Sequence, residues 1–351
     1  MKPRRGALRP PSAPQGRGFA LVIVLWVLAG LIVVAVAVAT STRVNAESVK
    51  LLRDRVRAEA AFLSAGARIE VIAATGSALS NSYFGPRGRL YVDGRLTQVA
   101  PDVWAKVQDV RGLVNLNDGA SPRLQRLLRR CGAPEDAVGA LSDALGDYID
   151  SDQLKRLNGA EGFDYRAAGD LPEPRNARLL SREELWRVKG WPAVREAWQS
   201  AGCDRYVTVR GDGLSNNNTA PLDVLLADGT DATIARGLLD RRQDGPLTGS
   251  TAATVDPVAS GDLRLAAGGF AGKAMRIRLE AASLEWALEY ELELTPDRGG
   301  GPWRTYEIRY PQQVPGKVPR GAAAPLPAVD FRPADQDRSP NDAPPRLPFG
   351  N

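Results

Sequence analysis

The sequence predicts an α+β fold in which a long N-terminal helix packs on a small antiparallel sheet, with a large all-α segment inserted between the strands. Three observations lead there: a proline-free helical stretch from Phe19 to about Ala78, a strict two-residue alternation from Ser283 to Thr295, and helix-capping signals gathered between Ser121 and Arg242. The expected division is a basic leader at 1–18, the helix at 19–80, a β region made of 81–117 and 265–311, a helical insertion at 118–264, and a Pro-rich tail at 312–351.

The helix begins inside an apolar run. Phe19 to Thr40 contains no formal charge and rises about 33 Å as a helix, enough for a ~30 Å hydrocarbon core. We read it as a membrane anchor beginning at Phe19, carrying Trp26 and ending at Thr40. The competing reading is a cleaved signal peptide, since Ala35, Ala37 and Ala39 offer small-residue cleavage patterns. This run is longer than the roughly 7–15 apolar residues of a signal core. Lys2, Arg4, Arg5, Arg9 and Arg17 precede it with no acidic residue among them, which sets the N-terminus in the cytoplasm and the bulk of the chain on the far side. Past the span the period stays helical, and Val49, Leu52, Val56, Ala60, Leu63 and Ala67 form an apolar stripe expected to cover the sheet.

Strands follow. Gly85-Pro86 and Asp93-Gly94 flank short segments, Arg89 to Val92 and Arg95 to Val99, that read as a hairpin, and Trp104 to Val114 leads on toward the insertion. Ser121-Pro122 then opens a helix with a capping residue and an N1 proline, and Pro134 to Tyr148 is a second helix. Ser181 to Glu184 has capping-box spacing and predicts a helix running to Gly190, with Trp186, Trp191 and Trp198 in one helical stretch. Pro221 to Leu226 and Ala232 to Arg242 form a further pair.

In the last β segment Leu284, Trp286, Leu288, Tyr290, Leu292 and Leu294 share one face and Glu285, Glu289, Glu291 and Glu293 the other. Its neighbours carry Arg276 and Arg278 on one side and Arg309 on the other, so cross-strand attraction predicts a three-strand meander with the acidic strand central. Pro311 to Asn351 holds ten prolines in 41 residues and few large apolar ones, the composition of a disordered tail.

Composition narrows the chemistry. The pI near 9.3 suggests nucleic-acid binding, but the leader's five cations account for the whole formal net charge of +5. The rest of the chain is formally neutral, so the basicity is a topology signal. With no histidine, Ser-His and Cys-His catalysis and histidine-ligated metal sites are absent. Cys131 and Cys203 are the only cysteines, and two readings stand: one disulfide in an oxidising compartment, or two separate buried thiols.

A basic leader ending at Gly18, a Phe at 19 and an apolar helix resemble the type IV prepilin and pseudopilin class. The interrupted strand region resembles the minor pseudopilin K family of type II secretion systems, the general secretion pathway protein K family. Local matches are Gly112 to Asn117, Asp143 to Asp152, Asn158 to Glu161 with Tyr165, Pro174 to Leu185, and Asn217 to Leu222. The resemblance covers Gly18 to about Tyr310. It implies a pilin-like fold with a SAM-like helical insertion, and cleavage by a prepilin peptidase between Gly18 and Phe19 with methylation of Phe19. It further implies an inner-membrane location in a Gram-negative cell, and a non-enzymatic role at the tip of the pseudopilus beside minor pseudopilins I, J and H. Exported proteins would be its substrates and nucleic acid no partner. Most of the wider class has Glu at the fifth mature position, whereas this family lacks it, in keeping with Ile23 here.

No cofactor is implied, although members of the family can bind calcium, and Asp147, Asp150, Asp152, Glu161 and Asp164 supply hard oxygen donors. Solvated carboxylates at a helix end are the plain alternative. A second function class is a DNA-uptake factor binding through the paired helices of Thr219 to Arg242. Their turn, Asp228-Gly-Thr-Asp231, sets two acids where phosphate would approach. Arg123, Arg126 and Arg130 read as a solvated helix face. A membrane-tethered enzyme is a third class, and no residue constellation favours it.

Overall fold

The computed structural model describes residues 19–169, 172–244, 269–281, 283–296 and 301–313. The leader with Gly18 lies outside the described residues, as does the tail read as disordered apart from its first residues, Pro311 to Gln313, which end a strand instead. The chain divides into two units, Met1–Arg57 and Ala58–Asn351. In the first, α1 (Phe19–Thr75) begins with a segment long and apolar enough to cross a membrane and exposed along its length. Thr40 and Thr42 return their hydroxyls to carbonyls one turn back, so neither polar group is left unpaired within the apolar run.

The second unit starts inside α1. A three-stranded sheet joins β1 (Ser77–Ala78), β2 (Ser82–Gly85) and β3 (Gly88–Tyr91), and a five-stranded antiparallel sheet has the order β10-β9-β8-β5-β4. Its strands are β4 (Asp93–Ala100), β5 (Val103–Asp109), β8 (Ala274–Ala281), β9 (Trp286–Leu294) and β10 (Trp303–Gln313). The meander β8-β9-β10 with the glutamate strand central is present, and β5 extends it.

The helix stripe that covers the sheet is not the one the periodicity suggested. Ala58, Phe62, Ala65, Ile69, Ile72 and Ala73 are buried against Val103, Ala105, Val107, Ile277 and Leu292. Leu63 is 75% exposed, and Ala60 and Ala67 are exposed beside it. The helix carries two apolar stripes about 150° apart, and the sheet takes the one bearing Phe62 and two isoleucines, which buries more apolar area.

The hairpin also differs. β3 pairs with β2 through Gly85-Pro86-Arg87-Gly88, while β4 pairs with β5, so Arg89–Val92 and Arg95–Val99 lie in different sheets. Asp93-Gly94 is a bulge rather than a turn: Gly94 has φ +77°, and the register shifts between Asp93 and Leu96.

Between β5 and β8 lies the insertion: β6 (Val114–Asn115), α2 (Pro122–Arg130), α3 (Glu135–Ile149), α4 (Gly162–Ala168), α5 (Arg195–Ser200), β7 (Val207–Thr208), α6 (Leu222–Ala227) and α7 (Ala232–Asp244). Ser121 caps α2 through its hydroxyl to the Leu124 amide, with Pro122 at N1. The stretch after Ser181 forms 3₁₀ turns, Arg182–Arg187 and Trp191–Val194, rather than an α-helix, because Gly190 is left-handed and Pro192 follows it. Trp191 and Trp198 meet edge-on at 5.4 Å in a core of their own, and Trp186 lies under Arg195. Cys131, at the end of α2, is bonded to Cys203 with Cα atoms 6.1 Å apart.

The two strands that bracket the insertion meet its motifs at its root. Asp109 is buried and accepts from the Asn216 amide and the Thr219 hydroxyl. The backbone of Gly112 passes so close to Thr219 that a Cβ would lie 2.6 Å from its carbonyl carbon. Asn117 bonds Leu179 in both directions and donates to Val209. Three of the motifs read from sequence therefore close one buried junction.

The glutamate face of β9 turns to the insertion. Arg182, 3% exposed, donates from its backbone and Nε to Glu307 at 3.0 and 2.9 Å and from Nη2 to Glu289 at 3.0 Å. Arg276 donates to Glu291 at 2.8 Å and to the carbonyls of Val207 and Asp204. Glu307 reaches Arg182 from an irregular point on β10, where φ is +45° and the register shifts between Tyr306 and Arg309. Burial lowers the Arg182 pKa, and the carboxylates of Glu291, Glu307 and Glu289 reverse this and hold it above the ordinary arginine value. Glu289 is held low, because Arg276 and Arg182 outweigh its burial.

Candidate functional site

The acidic cluster lies where α3 ends and α4 begins. Carboxylate oxygens of Asp150, Asp152 and Glu161 all lie within 4.8 Å of one another. Two oxygens bound to one calcium at about 2.4 Å can be at most about 4.8 Å apart, so the three can share one ion. Both oxygens of Glu161 and Oδ1 of Asp150 are buried without a hydrogen-bond partner. Burial first, then the charges of Asp147, Asp150 and Asp152, push the Glu161 pKa up to about 7. A buried, unpaired carboxylate beside other carboxylates is costly unless a cation joins them, and the donor set is the hard-oxygen type that calcium takes.

The other two predicted donors are committed elsewhere. Asp147, fully buried, pairs with Arg156 at 2.6 Å, and the same guanidinium reaches Asp150 at 2.5 Å. Asp164 accepts from Lys155 at 2.8 Å and from the Glu161 amide at 3.0 Å, which starts α4. Gly159 permits the approach: a Cβ there would lie 1.9 Å from Asp147 Oδ2. A residue the acidic pattern could not reveal is Asn176. Its Nδ2 donates to the Asp152 carbonyl at 3.1 Å while its Oδ1 is buried and unpartnered, on a backbone of φ +50°. Its only sequence trace is an asparagine within the Pro174 to Leu185 motif.

Phe19 is the first residue of α1 and is 72% exposed, as is most of Trp26. Arg123, Arg126 and Arg130 are not a solvated face. Arg123 pairs with buried Asp228, Arg126 donates to the Ala227 carbonyl, and Arg130 pairs with Asp223, so α2 clamps α6 and its turn. In the α6–α7 turn the amides of Gly229 and Thr230 donate to the carbonyls of Leu226 and Leu225, and those of Thr233 and Ile234 to Asp231.

A long helix with an apolar first half, an antiparallel sheet on its second half and a helical insertion between β5 and β8 define a pilin-like α+β protein. Residues 107–199 match the family model described as type II secretion system (T2SS), protein K. The match bears out the resemblance to minor pseudopilin K and spans β5 to α5. Among solved structures, the chain is similar in fold to the crystal structure of the GspK-GspI-GspJ complex of the enterotoxigenic Escherichia coli type 2 secretion system. Identity is 18%, coverage 79% of this chain and 99% of that one, and the TM-score 0.47. The comparison with curated proteins returned no match.

Proposed function

We propose that the chain is a non-enzymatic minor subunit of the type II secretion pseudopilus, acting at the filament tip with the I, J and H minor pseudopilins to start assembly and export of folded proteins. The family match across residues 107–199 carries this reading. The exposed stripe of α1 supports it: Val49, Leu52 and Val56 in the first unit and Leu63 in the second are apolar and uncovered. A helix with an apolar stripe its own sheet leaves free suits packing against neighbouring subunit helices.

In this reading a prepilin peptidase removes residues 1–18 and Phe19 is methylated. The span anchors the precursor in the inner membrane, N-terminus inside, with the bulk in the periplasm. Calcium is held by Asp150, Asp152 and Glu161 with the Asn176 side-chain oxygen, joining the end of α3 to the start of α4. Gly18→Glu should block the mobility shift seen on co-expression with the peptidase, and an unchanged shift would refute processing at that bond. Full-length chain mixed with I and J pseudopilins in detergent should co-elute on size exclusion. Complete dissociation at micromolar concentrations would count against the tip complex.

A further inference from the structure

A cavity of about 520 Å³ opens between the polar face of the sheet and the insertion. Its floor is closed, since Arg182 and Arg276 both donate to the Asp204 carbonyl and are held by glutamates. Its mouth is different. Lys106 on β5 stands directly opposite Arg278 on β8, whose guanidinium is already held by Glu280 and Glu289, so Lys106 is the cation of this pair without an ion pair among the described residues. Arg205, from the turn Cys203–Tyr206 of the insertion, lies with its guanidinium 4.7 Å over the Tyr206 ring.

Both Lys106 and Arg205 are exposed, and neither forms an ion pair among the described residues. The acids of the wall are engaged elsewhere: Asp93 by Arg95, Glu289 by Arg182, and Asp204 by the Trp198 indole. Asp223, which feels Arg205, is bonded to Arg130. Two cations from two different layers thus line one concavity without a carboxylate of their own.

We propose that this cavity binds an acidic polypeptide segment, with a carboxylate between Lys106 and Arg205 and its apolar neighbours on Tyr206 and Pro221. Arg278 and Arg309 on the wall, each already shared with a glutamate, strengthen the field. A peptide carboxylate fits better than a phosphate. Asp93, Asp204 and Glu289 on the same wall repel a dianion more than a monoanion, and phosphate makes no use of the tyrosine and proline. The site does not depend on the tip-subunit reading.

The test is fluorescence anisotropy on the full-length chain in detergent at low salt, with a labelled decapeptide of alternating glutamate and leucine as probe. A glutamine-leucine decapeptide and inorganic phosphate serve as controls. The acidic peptide is expected to bind, to weaken with added salt, and to lose at least about tenfold in affinity in Lys106→Glu/Arg205→Glu, while the neutral peptide does not bind. Both side chains are exposed and neither forms an ion pair among the described residues, so the double variant should still fold, with a small fall in melting temperature from the lost Arg205–Tyr206 ring contact, and Lys106→Gln/Arg205→Gln should show an intermediate loss of affinity. Unchanged affinity in the charge-reversed protein, equal binding of the neutral peptide, no binding of the acidic peptide, or phosphate displacing the peptide at lower concentration than the unlabelled peptide itself would each overturn the proposal.

Discussion

At the scale of the residue, Glu161 and Arg182 show the two ways a buried charge is handled. Glu161 has no partner of its own, and in its unpaired state its folded pKa lies above the unfolded 4.5, near 7. It therefore opposes folding as pH rises from about 4.5 to about 7, unless a cation is bound. Calcium should raise the melting temperature at pH 7.5, and Glu161→Gln should shrink that rise and be more stable than the parent in chelator. A melting temperature that calcium leaves unmoved would remove the metal reading. Arg182 is the opposite case, satisfied on every side by Glu289, Glu307 and the Asp204 carbonyl. Arg182→Ala strands those carboxylates and should cost about 3–5 kcal/mol in urea unfolding, far more than truncating an exposed arginine such as Arg43.

At the scale of the element, α1 and the disulfide are the informative cases. Ile69 is fully buried under the sheet, and Ile69→Ala should destabilise by about 2–5 kcal/mol. Leu63→Ala, one apolar stripe away, should change stability little but weaken co-elution with partner subunits, a contrast that equilibrium unfolding and size exclusion read separately. The bond between Cys131 and Cys203 links positions 72 apart in sequence and fastens α2 to the turn that bears Arg205. Replacing both by serine should cost roughly 4 kcal/mol at most, read as a lower urea midpoint that reductant no longer changes.

The strands of the meander and the capped start of α2 were legible in the sequence because each is set by local chemistry: alternation on β9, and Ser121-Pro122 at the helix start. The covering stripe of α1 was not, since two stripes satisfy the same period and only the shape of the sheet chooses between them. Nor was the 3₁₀ path through Trp186 and Trp191 before α5 takes up Trp198, where left-handed Gly190 and Pro192 interrupt what the capping pattern starts. Of the acidic residues, spacing alone could gather five candidates; only the fold reveals that Arg156 and Lys155 engage Asp147 and Asp164, and that Asn176 bonds the backbone of Asp152.

At the scale of the whole molecule, the second unit is two cores joined by a charged seam, the apolar face of the sheet going to α1 and its glutamate face to the insertion. Because Glu289 is held below its ordinary value of 4.5 when folded, the seam's stabilisation is present above about pH 4.5 and is lost as the pH falls through the lower folded value. Acid should loosen the insertion from the sheet before either core melts. Hydrogen exchange at falling pH should show early loss of protection at Arg182 and Val207, and simultaneous loss throughout would mean the seam is not the weak point.

The irregular point at Glu307 has a further consequence for self-association. β10 is an edge strand of 11 residues, and an edge of that length offers unpaired amides on which a second chain can grow a sheet. At Glu307 the strand kinks and a carboxylate turns inward, so the row of amides is broken near its middle. The residue that fastens the insertion also guards the strand against templating aggregates of the same chain.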